Sequence, residues 1–182
     1  MEYNSLGDIY AAADSIREKT REFADSISAE ESAVLAAGET WTLRAVFEHV
    51  SLVDDQILWV VNKLVSRAER ASSGGIERPP LAITGTFAET LNEFASAKLT
   101  APERVQPTGD IPIPDSILRL DDALNGFAGL RERLEAADLL GHKIPHPYLG
   151  ELTAPEWMVL RNGHEVRHVS QAKAILEKIR QK

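Results

Sequence analysis

The chain of 182 residues is 43% hydrophobic and 26% charged, the balance of one globular domain, residues 1–182, with a full core. Its formal net charge of −8, with no Lys/Arg stripe, argues against nucleic acid or an anionic membrane surface as the main partner, and no apolar run approaches the roughly 20 residues of a membrane span. There is no cysteine, which removes disulfides, a cysteine nucleophile and thiolate metal ligands, and leaves His, Asp, Glu and water for any metal site. The opening Met1-Glu-Tyr-Asn-Ser is acidic and polar rather than signal-like, so a cytoplasmic location is the expectation.

In chain order, Leu6, Ile9, Tyr10, Ala13, Ile16, Thr20, Phe23 and Ile27 recur at helical spacing and predict a first helix over residues 6–27. Ser28-Ala-Glu-Glu31 has the form of a capping box and predicts a short helical turn through Ala36, stopped by Gly38. A second long helix is expected from an N-cap at Thr42 to about Ala71, burying Leu43, Val46, Phe47, Val50, Ile57, Val61 and Leu64. His49 sits at the edge of that stripe, where by itself it reads as a half-exposed surface residue. Asp54 falls within the stripe, as a partner for an inward-facing polar group.

Ser72–Gly75 and Arg78-Pro-Pro80 mark a loop, and Thr86 is a possible cap for a helix through Leu99 anchored by Phe87, Leu91 and Phe94. Residues 101–114 carry four prolines and predict a long irregular connection, of the kind that is often functional. A third bundle-length helix is expected from about Asp115 to Ala137, with Gly126 and Gly129 allowing close packing. A loop containing His142 and His146 follows, punctuated by Gly141, Pro145, Pro147 and Gly150. Thr153-Ala-Pro-Glu156 is a capping box with proline in the first turn and starts the last helix. No stretch shows convincing strand alternation. Four long amphipathic helices imply an all-α bundle.

The last helix holds His164-Glu-Val-Arg-His168. Two histidines four apart lie one turn above the other and can share a metal ion. At about 100° per residue they fall about 20° either side of Trp157 and Ile175, so both rings are expected to point inward. The alternative is a pair of core histidines satisfied by carboxylates or water. In a bundle the second and last long helices can face each other, and His49 could then complete a three-histidine site. The string H-E-x-x-H is also that of zinc peptidases, but that reading fails. Their extended pattern needs glycine at Gln171 and histidine at Ala174, and Glu177, the only carboxylate after His168, lies about 13 Å further along the same helix.

Trp41-Thr-Leu-Arg-Ala-Val-Phe-Glu-His49, the loop His146-Pro-Tyr-Leu-Gly150, and Glu156-Trp157 followed by His164-Glu-Val-Arg-His168-Val-Ser-Gln171 together resemble the DinB-like (YfiT-like) superfamily of metal-dependent hydrolases and thiol S-transferases. The resemblance implies an up-down-down-up four-helix bundle with one or two short extra helices. It implies a single divalent metal (zinc, nickel or iron) on His49, His164 and His168. It also implies a small-molecule substrate, in some relatives an exogenous low-molecular-weight thiol, and a homodimer. The function it suggests is a small-thiol S-transferase or hydrolase. A non-enzymatic metal-binding or stress-linked bundle is the competing reading. Around the pair, Glu165 is the candidate catalytic base, with a flank residue or hydrogen-bond acceptor as its plainer role. Gln171 shares the histidines' face and is a candidate to orient a ligand or bound water. Arg161 is a candidate contact for an anionic substrate, against a snorkelling surface arginine.

Overall fold

The computed structural model describes residues 3–71, 87 and 100–181. Helix α1 spans Leu6–Asp25, α2 Ala29–Ala33 and α3 Leu43–Ala71; a 3₁₀ turn at Glu103–Val105 precedes α4, Ile113–Gly129, and α5, Arg131–Ala136. Strands β1, Ile144–His146, and β2, Gly150–Leu152, lead into α6, Ala154–Arg180. The helix expected at Thr86–Leu99 falls outside the described residues except for Phe87, which is buried in the core.

The helix starts follow local chemistry. Ser5, Ser28 and Thr153 each accept a bond from the backbone N–H three residues on, and Asp8, Glu31 and Glu156 reach back to the cap in reciprocal boxes. The third bundle helix departs from expectation by breaking at Leu130. Its N–H takes a tight bond to the Phe127 carbonyl at 2.9 Å, and the Tyr10 hydroxyl donates to the same oxygen at 2.8 Å, so that oxygen is drawn out of the regular ladder. Of the two glycines, Gly126 is the close approach: a methyl there would come within 2.5 Å of Leu58 on α3, whereas one at Gly129 would meet nothing.

The loop expected around Pro145 and Gly150 is instead a small antiparallel ladder pairing Ile144 with Leu152, Pro145 with Glu151 and His146 with Gly150. Strands of three residues are too short to show alternation, and Gly150, at φ 74°, supplies the left-handed backbone of the turn.

Helix directions follow from side-chain pairs far apart in sequence. Arg17 meets Asp54 on α3, and Phe23 stacks near Phe47, so α1 and α3 run antiparallel. Tyr10 reaches Phe127 and Arg21 reaches Asp121, so α4 is antiparallel to α1. Asn162 bonds to Ile9 and Arg180 to Ser26, so α6 runs with α1. The bundle is therefore up-down-down-up. No helix among the described residues is long and apolar enough to cross a membrane.

The core is split in two. One apolar cluster gathers Ile9, Ile57, Val61, Leu64, Phe127, Leu134 and Trp157; the other gathers Leu43, Val46, Phe47, Ile113, Ala172 and Ile175. On α1, α3 and α6, polar side chains fill the positions between them.

Candidate metal centre and cavity

Arg17 on α1 and Asp54 on α3 lie in this layer, beside Arg161 and Glu165 on α6. Arg17, Asp54 and Glu165 are 0% exposed and Arg161 is 2%. Arg17 donates through Nε to Glu165 Oε1 at 3.0 Å and through Nη2 to Glu165 Oε2 and Asp54 Oδ2, both at 2.9 Å. Arg161 Nε donates to Asp54 Oδ2 at 2.9 Å. Two guanidinium groups thus meet two carboxylates in a charge-balanced cluster, the form in which buried charge is tolerated. Burial pushes Glu165 up, but the bonds and charge of Arg17 and Arg161 outweigh it and hold its carboxyl below the usual range. At Asp54 burial prevails over Arg161 and Arg17, and the shift is upward.

On one side of this layer on the α6 wheel, His164 and His168 are half-buried and face His49 across the α3–α6 contact. The ring centroids lie 5.1 Å apart for His49 and His164, 4.8 Å for His49 and His168, and 4.4 Å for His164 and His168. One ligand nitrogen from each ring lies within 4.8 Å of the other two, so the three histidines are positioned to hold a metal ion.

The ring nitrogens are sorted by their partners. His49 Nδ1 lies 2.7 Å from the Val105 carbonyl. A carbonyl only accepts, so Nδ1 carries the proton and Nε2 keeps its lone pair. His168 Nδ1 likewise donates to Gln171 Oε1 at 2.8 Å, freeing its Nε2. His164 Nε2 sits 3.2 Å from His49 Nε2, while its Nδ1 is buried with no hydrogen-bond partner. Burial first, and then the neighbouring rings and Arg167, push His164 well below the ordinary histidine value. Burial lowers His49, against its bond to Val105. Burial and His49 bring His168 down to about 4. All three imidazoles are therefore neutral near pH 7, the form that binds a metal. Three neutral nitrogens with no thiolate fit a divalent ion that keeps an open position.

The rings open onto a cavity of about 310 Å³, walled by Val53, Ile57, Trp157, Leu160, Val105 and Leu149 among others. Trp41 packs against His49 at 4.8 Å and His168 at 6.2 Å. Trp157 lines the cavity and meets the edge of His146 at 5.2 Å.

The structure brings together His49, His164, His168 and Gln171. It places two other candidates elsewhere. Glu165 and Arg161 do not line the cavity; each is committed to the buried cluster, so neither the expected catalytic base nor the expected anion contact faces the open space. The reason is Arg17, which falls between the stripe positions Ile16 and Thr20 of α1 in the sequence yet is fully buried. The wheel sets Glu165 about 60° from His168 and so on the flank of the histidine face, whereas its two arginine partners bury it completely.

Val105 and Glu48 were also missed. The Glu48 carboxylate takes the N–H groups of Thr108 and Gly109 at 2.9 and 2.8 Å and the Thr108 hydroxyl at 3.0 Å. Glu48 and His49 together clamp the proline-rich connection onto α3. The available signals were a carboxylate beside a candidate ligand and a Thr-Gly turn in the connection.

An up-down-down-up bundle with three inward histidines at the mouth of an apolar cavity defines a class of helical proteins equipped to bind a metal. The chain belongs to the DinB superfamily, whose family model matches residues 12–172. It is similar to the uncharacterized protein YuaE of Bacillus subtilis (strain 168), with 29% identity over 149 residues that cover 79% of this chain and 82% of that protein. No solved structure gives a significant match.

Proposed function

We propose that the protein is a metal-dependent enzyme acting on a small molecule in this cavity, as a transferase of a low-molecular-weight thiol or as a hydrolase. The observation that carries the reading is the convergence of three neutral imidazoles, two with their tautomer set from behind, on an open cavity rather than on a sealed pocket. That opening disfavours a purely structural metal site.

His49, His164 and His168 are the groups that would hold the ion, zinc, nickel or iron. Bound there, a divalent ion supplies Lewis acidity and lowers the pKa of a water or thiol toward about 7. The chain supplies the rest. Val105 and Gln171 fix the rings of His49 and His168, as outer partners of metal-binding histidines do. Arg17 and Arg161 grip Glu165 and hold α6 turned so that His164 and His168 face the cavity. Glu165 is thus a positioning residue in this proposal. Val53, Leu160 and Trp157 keep the wall apolar and exclude water. With no cysteine in the chain, a thiol nucleophile has to enter as a separate small molecule. The homodimer implied by the family resemblance belongs to the same proposal, and sedimentation velocity tests it against the 20.0 kDa monomer.

The deciding experiment measures metal content by plasma mass spectrometry on untagged protein and on the His164→Ala/His168→Ala variant, followed by thiol-consumption assays with electrophilic acceptors and by hydrolysis assays. The expected result is near one equivalent of divalent metal in the parent, lost in the variant, and turnover that follows the metal. A parent protein that takes up no metal after reconstitution overturns the reading.

A further inference from the structure

The cavity is bounded on one wall by the 3₁₀ turn and the β1–β2 hairpin. Arg104, Val105, His146 and Leu149 line it from these segments, and Arg167 lines it from α6. Although the chain carries 28 acidic residues against 20 basic ones, no Asp or Glu is among the described residues that line this cavity. The charged side chains among the described lining residues, Arg104 and Arg167, are both cationic.

His146 is fixed in one tautomer by the hairpin itself. Its Nδ1 accepts the backbone N–H groups of Tyr148 and Leu149, each at 3.2 Å. A nitrogen that accepts carries no proton, so the neutral ring bears its hydrogen on Nε2. With Nδ1 bonded into the hairpin, Nε2–H is the polar group that His146, a lining residue of the cavity, has left to offer. Burial and the charge of Arg104 lower its pKa to about 4, so the ring is a neutral donor near pH 7.

We propose that this wall is the specificity site for the substrate: it takes a small molecule with an apolar body and one anionic group, held by the Nε2–H of His146 and the guanidinium of Arg104. Arg167 adds positive potential from the other side. The apolar body lies on Ile57, Leu160 and Trp157. The inference deepens the reading of the cavity as a substrate site, and it is tested so that the metal and the anion site fail separately.

The test compares two fluorescent probes that share an aromatic body, 8-anilinonaphthalene-1-sulfonate and the uncharged N-phenyl-1-naphthylamine. Each is titrated into chelator-treated and zinc-loaded protein. The expected preference for the anionic probe is about tenfold or more, from charge-assisted hydrogen bonds, in both metal states. Arg104→Gln and His146→Asn should each remove most of it. Asparagine at 146 keeps an oxygen to accept the two turn N–H groups, and its amide NH2 is too short to reach the position of Nε2, so the fold is retained and an unchanged thermal melt checks this. Arg119→Gln, an exposed arginine on α4 paired with Asp55, should leave the preference intact.

Equal binding of the two probes overturns the proposal, as does a preference that survives both cavity variants or falls equally in Arg119→Gln. A preference present only with zinc assigns the anion to the metal and also overturns it, while the metal reading stands. A preference in protein that takes up no zinc supports the anion site and sinks the metal.

Discussion

At His168 the nitrogen that would face a metal is selected by what the other nitrogen touches. Gln171 Oε1 accepts from Nδ1, and removing it leaves the ring free to rotate and change tautomer. Gln171→Ala is expected to weaken metal binding about 10–100-fold, read by chelator competition, with little change in the melt of the metal-free protein. The same ring predicts a pH dependence. His168 is held at about 4 against an ordinary value of 6.5, so between these values the unfolded chain binds more protons than the folded one. Stability of the metal-free protein should therefore be full above about 6.5 and fall as pH drops toward 4. Urea melts across that range should show this slope, shallower in His168→Gln. The spacing of His164 and His168 was legible in the sequence because helical geometry is local. His49 was legible only once α3 and α6 were set face to face or the family resemblance was invoked, since its neighbours on α3 place it at a stripe edge. Arg17 was hidden because its partners lie 37 and 148 residues away.

Among the elements, α6 carries the most information. Its start at Thr153 was readable from a capping box that the structure reproduces. Its buried face was readable at Trp157 and Ile175 but not at Arg161 and Glu165, which count as outward residues until their partners are known. Arg17→Met should cost about 3–5 kcal/mol, since it leaves two buried carboxylates to share the one guanidinium of Arg161, and chemical denaturation measures it. Glu165→Gln separates the two roles of that residue. As a positioning group it should lose stability and metal affinity together. A variant that folds and binds metal as the parent does, yet loses turnover, would restore a catalytic role. The β1–β2 hairpin was invisible at this scale because pairing across its turn, and not any pattern within three residues, defines its strands.

For the molecule as a whole, the three histidines join α3 to α6, so a bound ion is linked to folding. At a free metal concentration about 100 times Kd the folded state should gain about 2.7 kcal/mol, and calorimetry with and without chelator should show the matching rise in Tm. Bundle class was legible from helical periodicity. Helix direction was not, because it is written only in contacts such as Arg21 with Asp121 and Arg180 with Ser26, and it was expected from the family resemblance alone.

The charged layer between the two apolar clusters has a consequence for sequence drift. Greasy side chains can be exchanged for others of similar volume, and a purely apolar seam would let α6 slide by one turn, about 5.4 Å, with small penalty. Here such a slide would bring Arg161 or Val169 to the place where Glu165 meets Arg17, and strand a cation in the interior. The cluster thus acts as a registration mark. The two apolar halves are free to diverge while the mark keeps His164 and His168 level with His49.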